Sequence, residues 1–233
     1  MYTLYIANKN YSSWSLRPWV LMRALGIPFE ERLIPFGTRD APHDFHAFSP
    51  NGKVPCLHDG TVTVWESLAI VEYLAERHDG VWPTDASARA FARSAAAEMH
   101  AGFGALRQIC SMTCGLRVRL QRIEPQLRAD LERLQQLWQD GLGRFGGPFL
   151  AGREFSAVDA FFAPVAFRIQ TYRPPLAPAA LAYSQRLLSL APMRSWYADA
   201  LAEPWRDEAH ERETLAVGTV TEDLRHPPVA QNA

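Results

Sequence analysis

Hydrophobic and polar positions follow two different rhythms along this chain. Up to about residue 78, apolar residues come in short β-branched or aromatic runs separated by helical stretches. Tyr2 to Ala7 reads as a strand, and so does Phe29 to Ile34. Between them, Leu16, Trp19, Val20 and Met22 mark a helix over Trp14 to Leu25, stopped by Gly26-Ile27-Pro28. Ser15 is its expected N-cap, which would put Pro18 in the first turn, where backbone N–H groups lack helical partners in any case. After a loop containing Pro35, Gly37 and Pro42, Val54 to His58 and Thr61 to Trp65 read as hairpin strands around Asp59-Gly60. Glu66 to Arg77 is an amphipathic helix with Leu68, Ile70, Val71, Tyr73 and Leu74 apolar.

The order is therefore β-α-β, a long connection, then β-β-α. Its first half needs a crossover and hence a parallel pair; its second half is a hairpin. That is a thioredoxin-like arrangement. Residues 79–86, with Gly80 and Pro83, read as a linker, and beyond them the strand signals fade. Ser87 to about Met112 is expected to be one long Ala-rich helix. Glu124 to Leu142 carries Leu127, Leu131, Leu134 and Leu137-Trp138 on one stripe. Further helices are expected over Ser156 to Thr171, Pro178 to Leu190 and Met193 to Leu201. The expected fold is an α/β thioredoxin-like N-terminal domain (1–78) followed by an all-α C-terminal domain (87–215). The segment 216–233, with Pro227 and Pro228 and no periodic pattern, is expected to be a loosely held tail.

Composition narrows the class. The chain has 233 residues, with 24 Lys+Arg against 25 Asp+Glu and no run of five like charges. No strong field would draw in nucleic acid or an acidic membrane, and no apolar run approaches the ~20 residues of a membrane span. The three cysteines, Cys56, Cys110 and Cys114, form no C-x-x-C pair, and Cys110 and Cys114 would lie one helical turn apart, which suits a disulfide poorly. They read as free thiols of a reducing compartment. The N-terminus enters a strand pattern without the basic start and apolar stretch of a signal peptide. A cytoplasmic protein is expected.

Three segments carry candidate chemistry. In Asn8-Lys-Asn-Tyr-Ser-Ser-Trp-Ser15, hydroxyls cluster where a helix begins, a place that favours anions and can offer a donor to a thiolate. Ser12, Ser13 and Ser15 are also ordinary N-cap and turn residues. In Ser49-Pro-Asn-Gly-Lys-Val-Pro-Cys-Leu57, a cis Val54-Pro55 bond would leave the Val54 backbone open to pair with a peptide-like ligand. In Trp65-Glu-Ser-Leu68, Ser67 can offer its hydroxyl and N–H to a carboxylate while Glu66 accepts from an ammonium. Together these suit an amino acid α-centre, although a charged first turn is common without one. Gly102-Phe-Gly104 is no nucleotide fingerprint, since no strand precedes it. His43 and His46 lack the partners of a zinc site, and no metal is expected.

In this order and spacing the segments resemble the glutathione transferase superfamily. Ser12-Ser-Trp-Ser-Leu-Arg17 is similar to the serine motif of its zeta-like, Ser-type bacterial members, Asn51-Gly-Lys-Val-Pro55 to its cis-proline motif, and Glu66-Ser67 to the motif that holds the γ-glutamyl end. Phe155-Ser-Ala-Val-Asp159 resembles the family's capping box in the helical domain. The resemblance implies a cytoplasmic, homodimeric detoxification enzyme with glutathione as co-substrate and a small electrophile as partner, and no nucleic acid or membrane partner. It implies that Ser12 activates the thiolate, with Ser13 and Ser15 as alternatives. Ser13, Lys53, Val54, Pro55, Glu66 and Ser67 would hold glutathione. Tyr11, Trp14, His100, Phe103 and Arg107 would line the electrophile pocket. Two departures stand out. Trp14 occupies the place of the zeta-like cysteine, and neither Arg168 nor Arg173 falls on the arginine that zeta isomerases use. Glutathione-dependent cis–trans isomerisation of the maleylacetoacetate type is therefore the second reading, and a non-catalytic glutathione-binding module the third.

Overall fold

The computed structural model describes residues 1–37 and 43–227. Its organising strand is β1 (Tyr2–Ile6), which runs parallel to β2 (Phe29–Leu33) with Tyr2 opposite Phe29 and Ile6 opposite Leu33. On its other side β1 pairs antiparallel with β3 (Cys56–Asp59), and β3 with β4 (Val62–Trp65), giving the order β2-β1-β3-β4. The crossover helix α1 (Ser13–Ala24) makes the β1/β2 pair parallel, and Gly60 (φ 59°) makes the tight β3–β4 turn. Leu4, Ile6 and Leu57 on the central strands are fully buried. The helix α2 (Ser67–Ala75) follows β4 and buries Ile70, Val71 and Leu74. This is the thioredoxin-like domain. Pro42 lies outside the described residues.

The start of α1 differs from the N-cap expected at Ser15. The helix opens at Ser13, with Ser12 in the cap position, so Pro18 sits inside the helix beyond its first turn. Pro18 therefore leaves the Trp14 carbonyl without its helical donor. Ser15 is fully buried, and its Oγ accepts from Ser12 Oγ (2.7 Å) and Ala7 N (3.3 Å).

The second domain is helical and centres on α6 (Ala157–Tyr172), in which every residue but Gln170 is buried. A helix apolar all round belongs in the middle of a core. Around it lie α3 (Ala86–Ala101), α4 (Gly104–Ile109), α5 (Pro125–Phe145), α7 (Pro178–Ser189), α8 (Ala191–Ala202) and α9 (Glu208–Val217). The capping box at the start of α6 is present. Asp159 accepts from Ser156 N (3.0 Å), and also from Leu150 N (3.0 Å) and the Tyr183 hydroxyl (2.7 Å). Burial nevertheless pushes its carboxyl up to about 6.

Three expectations need correction here. The long helix from Ser87 to Met112 is two helices, because Phe103 adopts a left-handed conformation (φ 55°, ψ 41°) that buries its ring in the core. The helical domain also carries a two-stranded antiparallel ribbon of β5 (Leu116–Leu120) and β6 (Gly218–Asp223). The segment from 216, read as a loose tail, is thus ordered through β6 and beyond: Leu224 N donates to Gly115 O (2.9 Å) and His226 N to Leu201 O (2.8 Å). Gly115 is needed for that approach, since a β-carbon there would lie 2.2 Å from the Arg225 side chain. Pro227 is within the described residues and Pro228 is not.

Candidate active site

The Asn8–Ser15 loop is held from both domains. Within the first, Asn8 O accepts from Tyr11 N (3.1 Å) and Ser12 N (2.8 Å), and Asn8 Oδ1 from Phe36 N (2.8 Å). From the second, the Glu203 carboxylate just past α8 accepts the N–H groups of Lys9 and Asn10, and Trp196 Nε1 donates to Lys9 O (2.8 Å). Lys9 Nζ lies 2.7 Å from both Glu31 and Asp199. Ser12 is therefore presented by a backbone fixed on all sides.

Ser12, Ser13 and Trp14 open onto a cavity of about 500 Å³ between the two domains. A smaller lobe of about 160 Å³ shares Trp14, Lys53 and Val54 with it and adds Asn51, Pro55 and Glu66. The two lobes are contiguous through these shared residues. The Val54–Pro55 bond is cis. Asn51 Nδ2 donates to Glu66 Oε1 (3.1 Å), and Asn51 Oδ1 accepts from Lys53 N (3.1 Å). Glu66 has φ 67° and ψ 129°, a conformation costly for a side-chain-bearing residue. Next to it, Ser67 is fully buried at the start of α2, with its Oγ unpaired. An unpaired buried hydroxyl at a helix N-terminus is poised to donate to an anion.

The larger cavity is walled on the helical side by Gly104, Arg107, Gln108, Ser111, Met112 and Arg168, and by His210 and Glu213 from α9. The pocket residues expected from the resemblance divide. Tyr11, Trp14 and Arg107 line the cavity. Phe103 instead packs edge-on against Phe162 in the core, and His100 lies edge-on to Trp14 (5.2 Å) without reaching the wall. Arg173, considered beside Arg168, is exposed at the end of α6 and lines a different cavity with Arg117 and Tyr172.

Electrostatics separate the hydroxyls. The Tyr11 hydroxyl donates to Glu211 (2.6 Å) and accepts from Arg225 (3.1 Å); burial and Glu211 raise its pKa well above the ordinary phenol value. Ser15 is not on the cavity wall. Ser13 Oγ accepts from Arg168 Nη2 (3.3 Å), and the Ser12 proton points to Ser15. Three arginines surround this corner. Arg17, 1 % exposed, stacks on Trp14 (4.0 Å) and Phe161 (4.9 Å), and the Arg107 guanidinium lies 5.4 Å from the Trp14 ring centroid. Burial, then Arg168 and Arg107, hold the Arg17 pKa well below its usual value, opposed by Glu66. Burial lowers Arg168 to about 10. Arg168, weighed in the sequence only as an isomerase arginine off its expected place, does line the cavity, whereas His210 and Glu213 were signalled by no local motif, since they come from the segment beyond α8.

The cysteines Cys56, Cys110 and Cys114 are free and buried, and burial pushes Cys110 up to about 12. Among the described residues, no three His, Cys, Asp or Glu side chains gather as metal ligands, and no helix is long and apolar enough to cross a membrane.

Comparison with known proteins agrees with this geometry. Residues 11–77 match the model of the glutathione S-transferase N-terminal domain, and residues 117–209 that of its C-terminal domain. A glutathione S-transferase-like protein of Beauveria bassiana is 25% identical over 187 residues, 76% of this chain and 83% of that one. Maleylacetoacetate isomerase of Rattus norvegicus is 24% identical over 181 residues, 75% of this chain and 81% of the isomerase. The crystal structure of a glutathione transferase homolog from Burkholderia GL BGR1 with bound glutathione superposes with TM-score 0.63 at 22% identity, covering 85% of this chain and 97% of that one. With both domain models matched in chain order and the two-domain architecture around the cleft, the chain belongs to the glutathione S-transferase superfamily.

Proposed function

We propose that this protein is a Ser-type, zeta-like glutathione transferase that uses Ser12 to activate the glutathione thiolate for attack on a small electrophile. The observation that carries the reading is the meeting of Ser12, Val54 and Glu66 on one two-lobed cleft, with the buried, unpaired Ser67 hydroxyl next to Glu66 at the start of α2. The smaller lobe takes the γ-glutamyl end. Ser67 donates to its α-carboxylate and Glu66 accepts from its ammonium, while the Val54 backbone pairs with the cysteinyl unit as an added strand would. Pro55 shapes that wall, Lys53 meets the glycine carboxylate, and the sulfur then lies at Ser12 and Ser13.

The energetics suffice. A free thiol has pKa ~8.5, and lowering it by ~2 units needs ~2.7 kcal/mol in favour of the anion. A hydroxyl donor to a charged acceptor contributes ~1.5–3 kcal/mol, and the N-terminus of α1 adds ~0.3–1 kcal/mol. Ser12 turns its proton from Ser15 to the sulfur; Ser15 keeps its bond from Ala7 N. Tyr11, committed to Glu211, is a wall and not the activating donor. We read the enzyme as a cytoplasmic homodimer, to be checked by light scattering.

A thiolate-dependent isomerase is the second reading, favoured by Arg107 and Arg168 on the cavity wall, where a cation would steady an enolate during rotation. The deciding experiment titrates thiolate absorbance of bound glutathione in wild type and Ser12→Ala, and compares kcat/KM for an aromatic halide with that for a maleyl diketo acid. A lowered thiol pKa that depends on Ser12, with conjugation the faster reaction, supports the transferase. Equal thiol pKa values would defeat the role of Ser12, and a clear preference for the diketo acid would make the isomerase the better reading.

A further inference from the structure

One titratable side chain on the wall of the larger cavity has no part in the thiolate chemistry above. His210, in the first turn of α9, lines the same cavity as Ser12 and Ser13. Its Nδ1 lies 2.9 Å from Asp207 Oδ1, and Asp207 caps the helix by accepting from His210 N (3.0 Å). The side-chain hydrogen bond from His210 is the main cause holding the Asp207 carboxyl below its usual range, so a carboxylate faces the imidazole. Two aromatic rings fix the plane of the imidazole, which stacks on Tyr11 (5.1 Å, 29°) and on Phe36 (5.6 Å, 22°). The ring is half-buried, and its Nε2 has no hydrogen-bond partner among the described residues.

A carboxylate on one ring nitrogen sets the tautomer and orientation and favours the imidazolium, while the other nitrogen stays free to pass a proton. No other group on this wall is placed to do so. An arginine keeps its proton at neutral pH, so Arg107 and Arg168 can steady a negative charge but not neutralise it. The Tyr11 proton is held by Glu211, with burial raising its pKa further. Ser12 is assigned to the sulfur. Among the side chains lining the cavity, only an imidazole has an ordinary titration range that spans neutral pH.

We propose that His210, oriented by Asp207, is a general acid that protonates the oxygen set free when the thiolate attacks, so that this cavity serves the ring opening of an epoxide. This rests on the transferase reading, since the step starts from bound thiolate. A sulfur lone pair forms the C–S bond, and the C–O bonding pair stays on oxygen. That oxygen takes the proton from His210 Nε2, leaving a neutral imidazole whose Nδ1–H still donates to Asp207. Solvent, which received the thiol proton earlier, returns one to Nε2, so the products are a hydroxy thioether and the unchanged enzyme. An epoxide gains most from such a donor because its oxygen would otherwise leave as a localised, strongly basic alkoxide. A chloride leaves as a stable anion and needs no proton. Asp207 acts through His210 and is a positioning residue.

The test pairs 4-nitrostyrene oxide, which needs a proton, with 1-chloro-2,4-dinitrobenzene, which does not. Both need the same thiolate, so the ratio of their kcat/KM values isolates the proton. In wild type the epoxide-to-chloride ratio should fall about tenfold or more between pH 5.5 and 8.5, as imidazolium is lost. The other charged or titratable groups at this corner are Tyr11, Asp207, Glu211, Glu213 and Arg225, with Lys53, Arg107 and Arg168 on the cavity wall. His210→Gln tells them apart from the imidazole: it should lower kcat for the epoxide about a hundredfold more than kcat for the chloride and leave the ratio flat with pH. Asp207→Asn, which can still cap α9, should lower the ratio less and move its fall to lower pH, a shift that a purely structural cap would not cause. A His210→Gln enzyme that keeps the wild-type ratio and its pH dependence would overturn the proposal. So would one that slows both reactions equally while raising the pKa of bound glutathione, because His210 would then serve the thiolate. If His210→Gln does not fold, a ratio flat with pH in wild type overturns the proposal alone. Failure of wild type to conjugate the chloride would instead defeat the transferase reading, and this proposal with it.

Discussion

The two lobes of the cleft are walled by different kinds of chain. Apart from Trp14, which both lobes share, the smaller one is lined by Asn51, Lys53, Val54, Pro55 and Glu66, and its polar contacts are short in sequence: Asn51 to Lys53, Asn51 to Glu66. The larger one brings Ser13 against Arg168, 155 residues away, and Tyr11 against Glu211, 200 residues away. A local turn can fix a peptide-binding lobe almost by itself. A cavity that must fit varied electrophiles is instead made where two domains and a returning C-terminal segment meet, so its character changes whenever the far elements change.

This contrast predicts where damage will be felt. The largest effect should come from the local lobe. Glu66→Gln with Ser67→Ala removes two charge-assisted contacts to the γ-glutamyl end, and glutathione affinity should fall on the order of a hundredfold by calorimetry. KM for the electrophile should change little in that variant, which separates the lobes. Ser12→Ala stands at their junction. It should lower kcat for an aromatic halide at neutral pH by about 10–100-fold, with glutathione affinity changed by less than about threefold. A loss of affinity equal to the loss of rate would mean that Ser12 belongs to the local lobe alone.

The far lobe is sharpened by its clasp. Arg225, only 6 % exposed as a side chain, donates to Glu211, Asp223 and the Tyr11 hydroxyl. Arg225→Ala should cost about 1–3 kcal/mol in denaturant unfolding, less than a fully buried pair because Glu211 and Asp223 keep access to water. It should also raise KM for the electrophile more than KM for glutathione. An unchanged ratio of the two would show that the returning segment does not shape the larger cavity.

The smallest effect concerns the hinge between the regions. Burial pushes Glu203 up to about 7, against the pull of the Lys9 and Asn10 N–H groups. A carboxyl raised in the folded state binds its proton more readily there than in the unfolded chain. Its contribution to stability is therefore full below the ordinary carboxylate value of 4.5 and is lost as pH rises through about 7. Glu203→Gln should flatten the change in unfolding midpoint between pH 5.5 and 8.5. Asp159, raised to about 6, acts in the same direction and remains in the variant, so the slope should shrink without vanishing.

Much of the first domain was legible because its signals are short. The runs at Tyr2 and Phe29, the Asp59-Gly60 turn and the Gly26 stop need only neighbouring residues. In the second domain some legible signals were passed over. Leu116-Arg-Val-Arg-Leu120 alternates as a strand should, with Leu116 and Val118 buried, and Thr219-Val-Thr221 is a β-branched run. Each was outweighed by its helical surroundings, and a strand is confirmed only by the partner it finds about a hundred positions away. The Phe103 break was less accessible, since Gly102 and Gly104 mark a weak point without saying which way the chain turns.

By itself the sequence determined the order of strands and helices in the first domain, the capping box at Ser156 and Asp159, and the succession of Ser12, Val54-Pro55 and Glu66-Ser67. These follow from hydrophobic period and from helix starts, which act over a few residues. Only the tertiary structure decided that Ser15 is withdrawn into the core, that Phe103 leaves the cleft, that Arg168 enters it and that the segment after 216 closes over Tyr11. The reason is physical. Where a side chain points is set by its own turn of helix or strand, but whether its charge finds a partner depends on what packs opposite. For Arg17, Arg107 and Arg168 that is the aromatic faces of Trp14 and Phe161, the Ser13 hydroxyl and an open cavity.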